Sequence, residues 1–264
     1  WAERFDRDLT DIFDWQDEIV QRIAATVEPE MHRAERQRSV GMSAQNLDAW
    51  DFYHRGWSKV FEYTKEGNEQ ARGFFEKAIE KDPNYRAAFT GIAYSHHRDL
   101  TAEFADDRAD AIKKCLEAAR RGVALDPVNS NARVALAQAY IWPDKRDLAL
   151  AEARKALELN PNNAWALTVY GTLLDSTGDF AGGKQSIEKA LELNPRDPRN
   201  HISLTLLARA YLNARDYETA IEWAQRALEH LPVHANANYV MAASVGHLGR
   251  LEESRIELAA CEQA

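Results

Sequence analysis

The sequence predicts an all-α fold, a right-handed solenoid of about six helix pairs preceded by a long N-terminal helix. The first observation is a repeated string: residues 156–161 and 190–195 are identical and lie 34 positions apart. The second is a set of looser copies at residues 78–83, 122–127 and 227–232, each ending in proline. A 34-residue period that ends in proline is typical of helix–turn–helix arrays, in which each unit buries its apolar face against its neighbours.

Composition supports a packed helical protein and argues against several kinds of partner. Of the 264 residues, 45% are hydrophobic and 28% are charged, a balance that argues against disorder. The formal net charge of −9 disfavours nucleic acid and anionic membranes, because a phosphate backbone is bound by clustered Lys and Arg. The sequence contains no run of 18 apolar residues, so it predicts no membrane span. We expect a cytoplasmic protein in which Cys115 and Cys261 are reduced thiols.

The clearest repeat covers residues 164–195 and predicts two antiparallel helices joined at Gly178–Phe180. Small residues at Gly171 and Gly183 allow the two backbones to approach closely, and Pro195 cannot continue a helix. The other units cover residues 46–83, 84–127, 130–161, 200–232 and 235–264.

Two of these units are longer than the period. Pro83 and Pro127 are 44 residues apart, and we place the extra residues near 99–108 as a loop or a longer helix. Pro195 and Pro232 are 37 residues apart, and we place three extra residues in 196–200.

Residues 1–45 differ from the array. From Leu9 to Val27 apolar residues follow a 3.6-residue spacing, which predicts a long amphipathic helix that is kinked or ends near Pro29. We interpret the chain as part of a longer polypeptide, because it begins at Trp1 without a methionine. The apolar stripe of this helix packs on the first repeat or pairs with a second copy of the chain.

Residues 46–264 resemble the tetratricopeptide repeat family. The period, the pattern of small and large residues at fixed packing positions and the closing proline recur together. The resemblance implies a right-handed solenoid whose first helices line a concave face that binds proteins or peptides.

A second resemblance covers residues 1–45. Residues 1–7, WAERFDR, followed by residues 11–19, DIFDWQDEI, are similar to a junction in bacterial multidomain signalling proteins. There an α/β domain resembling the TolB N-terminal domain precedes tetratricopeptide repeats. Many members carry a class III adenylate/guanylate cyclase domain, and others carry a winged-helix DNA-binding domain. The resemblance implies that residues 1–7 are the final strand of the upstream domain, and that any catalytic residues lie outside this segment.

The candidate binding residues are first-helix positions between the packing slots of repeats two to six. They are Tyr94, His97, Gln138, Trp142, Trp165, Thr168, Thr172, Arg209, Asn236 and Tyr239. Aromatic and arginine side chains are enriched at interaction hot spots, so this set predicts a groove for a protein or peptide. For Trp142 and Trp165 the alternative is packing between neighbouring repeats. At the level of function, the alternatives are a homodimerisation scaffold and a small-molecule site inside the superhelix.

The sequence predicts no catalytic residue, no cofactor site and no metal site. His96 and His97 are neighbours that point about 100° apart on a helix. His230 and His234 are separated by Pro232, which breaks the helix that they would share. No glycine-rich dinucleotide or phosphate loop occurs.

Overall fold

The computed structural model describes Met31 and residues 48–263. In this part of the chain twelve α-helices form six antiparallel pairs, and no strand is present. The helices are α1 (Ala49–Val60), α2 (Lys65–Lys81), α3 (Arg86–Thr101), α4 (Arg108–Leu125), α5 (Ser130–Ile141), α6 (Arg146–Leu159), α7 (Ala164–Ser176), α8 (Phe180–Leu193), α9 (Asn200–Asn213), α10 (Tyr217–His230), α11 (Ala235–His247) and α12 (Leu251–Gln263).

The six pairs stack into a solenoid, which confirms the predicted fold class. Each helix packs against its own partner and against the neighbouring pair. First helices of successive pairs also pack on one another, as seen for α1 with α3, α3 with α5, α5 with α7 and α9 with α11. Among the described residues, second helices show no comparable contact, so the first helices line the inner face. The predicted helix between Leu9 and Val27, and the dimer contact assigned to it, lie outside the described residues.

The second helix pair has both longer helices and a longer loop, the two alternatives that the sequence left open near residues 99–108. Helices α3 and α4 have 16 and 18 residues, whereas α5 and α6 have 12 and 14. The loop between α3 and α4, residues 102–107, is also two residues longer than the loop at 142–145. The added turn of α3 carries Asp99, whose Oδ1 accepts a hydrogen bond of 2.6 Å from Asn68 Nδ2. The extra length therefore ties the second repeat to α2.

The core is built from small side chains on the second helices and larger side chains on the first helices that flank them. Ala149, Ala153 and Ala156 on α6 are fully buried, and they lie against Val134 and Val169 of the flanking first helices. Alanine at these spacings lets helix axes approach closely without loss of helix propensity. The same arrangement recurs on α10.

Asn163 joins two repeats and supports the first prediction about stability. Its Oδ1 caps α7 by accepting from Ala166 N at 3.0 Å, and its Nδ2 donates to Ser130 Oγ at 2.8 Å and to Asn131 Oδ1 at 2.9 Å. We expect Asn163→Ala to lower the free energy of unfolding by about 1–2 kcal/mol in urea denaturation. Asn163→Asp retains the capping oxygen, so its expected loss is smaller. An equal loss in both variants would show that the cap contributes nothing.

Candidate interaction surface

Three of the predicted groove residues are buried. Tyr94, Gln138 and Thr168 are each at most 5% exposed. Tyr94 packs against Trp57, with ring centroids 5.1 Å apart, and the Thr168 hydroxyl lies 2.9 Å from Ser203 Oγ. The expectation that they face a groove is therefore wrong. These residues lie where the first helix of one repeat contacts the first helix of the next. The residue pattern of a single repeat does not predict that contact.

The two tryptophans and His97 also make contacts within the array. Trp165 packs on Tyr94 at a centroid distance of 6.1 Å, and Arg199 Cζ lies 4.2 Å from its ring centroid. Trp142 Nε1 donates a hydrogen bond of 3.0 Å to His97 Nδ1. Both tryptophans thus pack between repeats, as the alternative interpretation proposed.

The remaining predicted residues face solvent to differing degrees on α7, α9 and α11. Thr172 is partly buried, and its hydroxyl donates to Thr168 O at 2.8 Å. The Arg209 side chain is 47% exposed and pairs with Asp175 at 2.9 Å. Asn236 is exposed, and Tyr239 is 60% exposed. That these four residues bind a partner stays a prediction.

Sequence reasoning missed a contact across the superhelix. Tyr63, in the turn after α1, donates a hydrogen bond of 3.0 Å to Pro198 O, 135 residues away. Its ring also meets the His201 ring edge-on at 4.9 Å. First and fifth repeats are therefore in direct contact. Neither Tyr63 nor Pro198 lies at one of the packing positions that recur every 34 residues, so the repeat pattern could not predict their contact.

This contact belongs to a group of side chains that we call the inner cluster. Its members come from all repeats except the third and touch one another through rings and guanidinium groups. The inner cluster consists of Trp57, Tyr63, Tyr94, Arg98, Trp165, Arg199, His201 and His234. It occupies part of the inner face, where a groove was expected.

Burial sets the protonation of the inner cluster. Burial, followed by the charge of His234, lowers the pKa of His201 to about 3, and burial with Arg98 lowers the pKa of His234 to about 4. Both rings are therefore neutral at neutral pH. Burial opposes the charge of Arg199, but Asp197, at 2.7 Å and 2.9 Å, raises the pKa of its guanidinium overall.

Two features of residues 48–263 bear on metal binding and on thiol chemistry. No three His, Cys, Asp or Glu side chains lie close enough there to hold a metal ion. Burial raises the pKa of the Cys115 thiol to about 12, which disfavours the nucleophilic thiolate. Of the helices described, not one combines the length and the apolar character that a bilayer crossing requires.

Two family models match consecutive parts of the array. Residues 152–185 match a tetratricopeptide repeat model, and residues 186–261 match the model of anaphase-promoting complex, cyclosome, subunit 3. These matches support the assignment to the tetratricopeptide repeat family that the spacing suggested.

Relatives and solved structures give the wider context. The chain is 29% identical over 149 residues to putative adenylate cyclase 3 of Rhizobium meliloti (strain 1021), covering 56% of this chain and 25% of that protein. It spans 25% to 30% of the length of this protein and of three other curated relatives. A human IFIT1 dimer with PPP-AAAA superposes with a TM-score of 0.67 at 20% identity, covering 80% of this chain and 49% of that chain. A thermophilic repeat protein of Thermus thermophilus superposes with a TM-score of 0.58 at 20% identity, covering 75% of this chain and 98% of that chain. Such identities show a shared fold alone.

Proposed function

We propose that this array of tetratricopeptide-type repeats is a non-catalytic module that binds a protein or peptide within a bacterial signalling protein. Its parent would be a cytoplasmic class III adenylate/guanylate cyclase-like protein, with these repeats in its C-terminal region. The similarity to the Rhizobium protein over 56% of the chain supports that parent. The stacked repeats support the binding role, because arrays of this kind present extended surfaces to partners.

One observation supports the binding role: a tyrosine and an arginine on the first helices α11 and α9 remain exposed. The inner cluster reaches the sixth repeat at His234, the residue before α11, whereas Tyr239 within α11 is 60% exposed. Arg209 on α9 keeps nearly half of its side chain in solvent. Tyr and Arg at a concave surface are the residue types that dominate binding energy at interfaces. We therefore place the partner-binding surface on α9 and α11, with Asn236 and Thr172 at its edge.

The proposal predicts that Tyr239→Ala combined with Arg209→Ala abolishes peptide capture without loss of helicity. A phage-displayed peptide library selected on the wild-type chain supplies the ligands, and biolayer interferometry measures their affinity for each variant. Loss of two hot-spot side chains is expected to weaken binding by about 100-fold or more.

Phe180→Ala is the matched control. Phe180 is an aromatic residue with 58% exposure, but it begins the second helix α8, and its loss should leave affinity unchanged. Equal binding by the double variant would exclude this surface. A wild-type chain that enriches no peptide would contradict the binding role itself.

A further inference from the structure

Arg98, at the end of α3, differs from the other half-buried arginines. Three of those are paired with carboxylates, as Arg72–Asp99, Arg133–Glu152 and Arg199–Asp197. Arg98 has no carboxylate within ion-pair distance among residues 48–263, and its Nε is fully buried without a hydrogen-bond partner. A buried N–H group without a hydrogen-bond partner is costly, so this nitrogen calls for an acceptor.

Among residues 48–263, no unpaired carboxylate lies beside the Arg98 guanidinium. Its Cζ lies 4.2 Å from the ring centroid of Tyr63, whose hydroxyl is already donating to Pro198 O. The neighbouring acid of the inner cluster, Asp197, is engaged through both oxygens by Arg199. The inner cluster and its neighbour Asp197 together therefore hold two guanidinium groups and one carboxylate.

A second polar group in the same place also lacks a partner. His234 Nε2 is buried and makes no hydrogen bond. The His234 ring meets the His201 ring at 5.0 Å, which in turn meets Tyr63 above the Arg98 guanidinium. Arg98 is close enough to His234 and His201 to lower the pKa of each. Two unsatisfied nitrogens thus belong to one contiguous group from the second and sixth repeats.

We propose that Arg98 and His234 form a binding site for an oxyanion, a carboxylate or a phosphate group. The guanidinium would bind the anion through its in-plane N–H groups, the geometry in which arginine recognises both groups. His234 would donate from Nε2, with Tyr63 and His201 forming the wall. The anion would supply the negative charge that the inner cluster lacks. This site goes beyond the peptide surface on α9 and α11, because it involves neither Arg209 nor Tyr239.

Titration of the whole chain with inorganic phosphate, and separately with sodium acetate, tests the site at constant ionic strength. The readout is the ¹⁵N–¹H signal of each arginine Nε. We expect one signal, absent from the spectrum of Arg98→Gln, to shift saturably. Arg255→Gln removes an exposed arginine outside both proposed sites and should leave the titration unchanged. Acetate and phosphate arms distinguish a carboxylate ligand from a phosphate ligand.

Two further variants keep the test decisive if Arg98→Gln does not fold. Arg98→Lys retains the charge but not the planar donors, and His234→Ala removes the second donor; each should weaken anion affinity by about tenfold. An unsaturable shift with both anions, or unaltered affinity in both of these variants, would overturn the proposal. Loss of peptide capture in the α9–α11 variants with intact anion binding would show that the two sites stand independently.

Discussion

Phe75→Ala is expected to lower the free energy of unfolding by about 3–5 kcal/mol, the largest effect of any substitution considered. Phe75 on α2 is completely buried between two backbones that approach it closely. A Cβ atom added at Gly56 would lie 2.5 Å from its ring, and one added at Gly91 would lie 2.6 Å away. Because glycine stands on both sides of the ring, neither neighbour has a side chain that can move into the cavity.

Urea denaturation followed by circular dichroism measures this loss. Phe180→Ala is the control, since its exposed ring should change stability by no more than about 0.5 kcal/mol. A loss in Phe75→Ala as small as that of the control would contradict the described packing of the first two repeats.

The second large effect comes from the crossing of α7 and α8. Gly171→Ala is expected to destabilise the chain by about 1–3 kcal/mol, although alanine favours helix formation. An added Cβ at Gly171 would lie 2.8 Å from Gly183 O, and one at Gly183 would lie 2.8 Å from Gly171 O. Since these contacts are with backbone, no side-chain rotation can relieve them.

Gly73→Ala is expected to stabilise the chain, whereas Gly171→Ala is expected to destabilise it. Gly73 lies within α2, and an added Cβ there would meet nothing within 4 Å. We expect this variant to gain about 0.5–1 kcal/mol from helix propensity alone. Thermal denaturation of both glycine variants should therefore shift the midpoint in opposite directions. Shifts of the same sign would show that the close approach of α7 and α8 does not limit packing.

The repeat architecture could be predicted because it depends on local spacing. The small slots at Gly171 and Gly183, the helix pairs and the lengthened second unit all follow from residues within one repeat. The choice between a loop and longer helices could not be made, because the charged residues near Asp99 suit either. Buried pairing of Asp99 with Arg72 and Asn68 resolved it.

The inner face could not be predicted in the same way. Whether Tyr94 or Thr168 is exposed depends on how tightly successive first helices pack, and that curvature is a property of the whole stack. The contact of Tyr63 with Pro198 joins a turn to an inter-repeat connection. Tyr239, on the first helix of the sixth pair, remains 60% exposed.

The first and fifth repeats meet, and this contact covers part of the inner face while side chains on α9 and α11 remain exposed for a partner. Electron–electron double resonance measures this contact through nitroxides at two exposed positions. These are Glu66, three residues after Tyr63, and Glu192, six residues before Pro198. Cys115 and Cys261 are first replaced by alanine so that the labels attach only at the chosen sites. The contact predicts a single short, narrow distance distribution that broadens in Tyr63→Ala. A long, broad distribution that Tyr63→Ala does not change would contradict it.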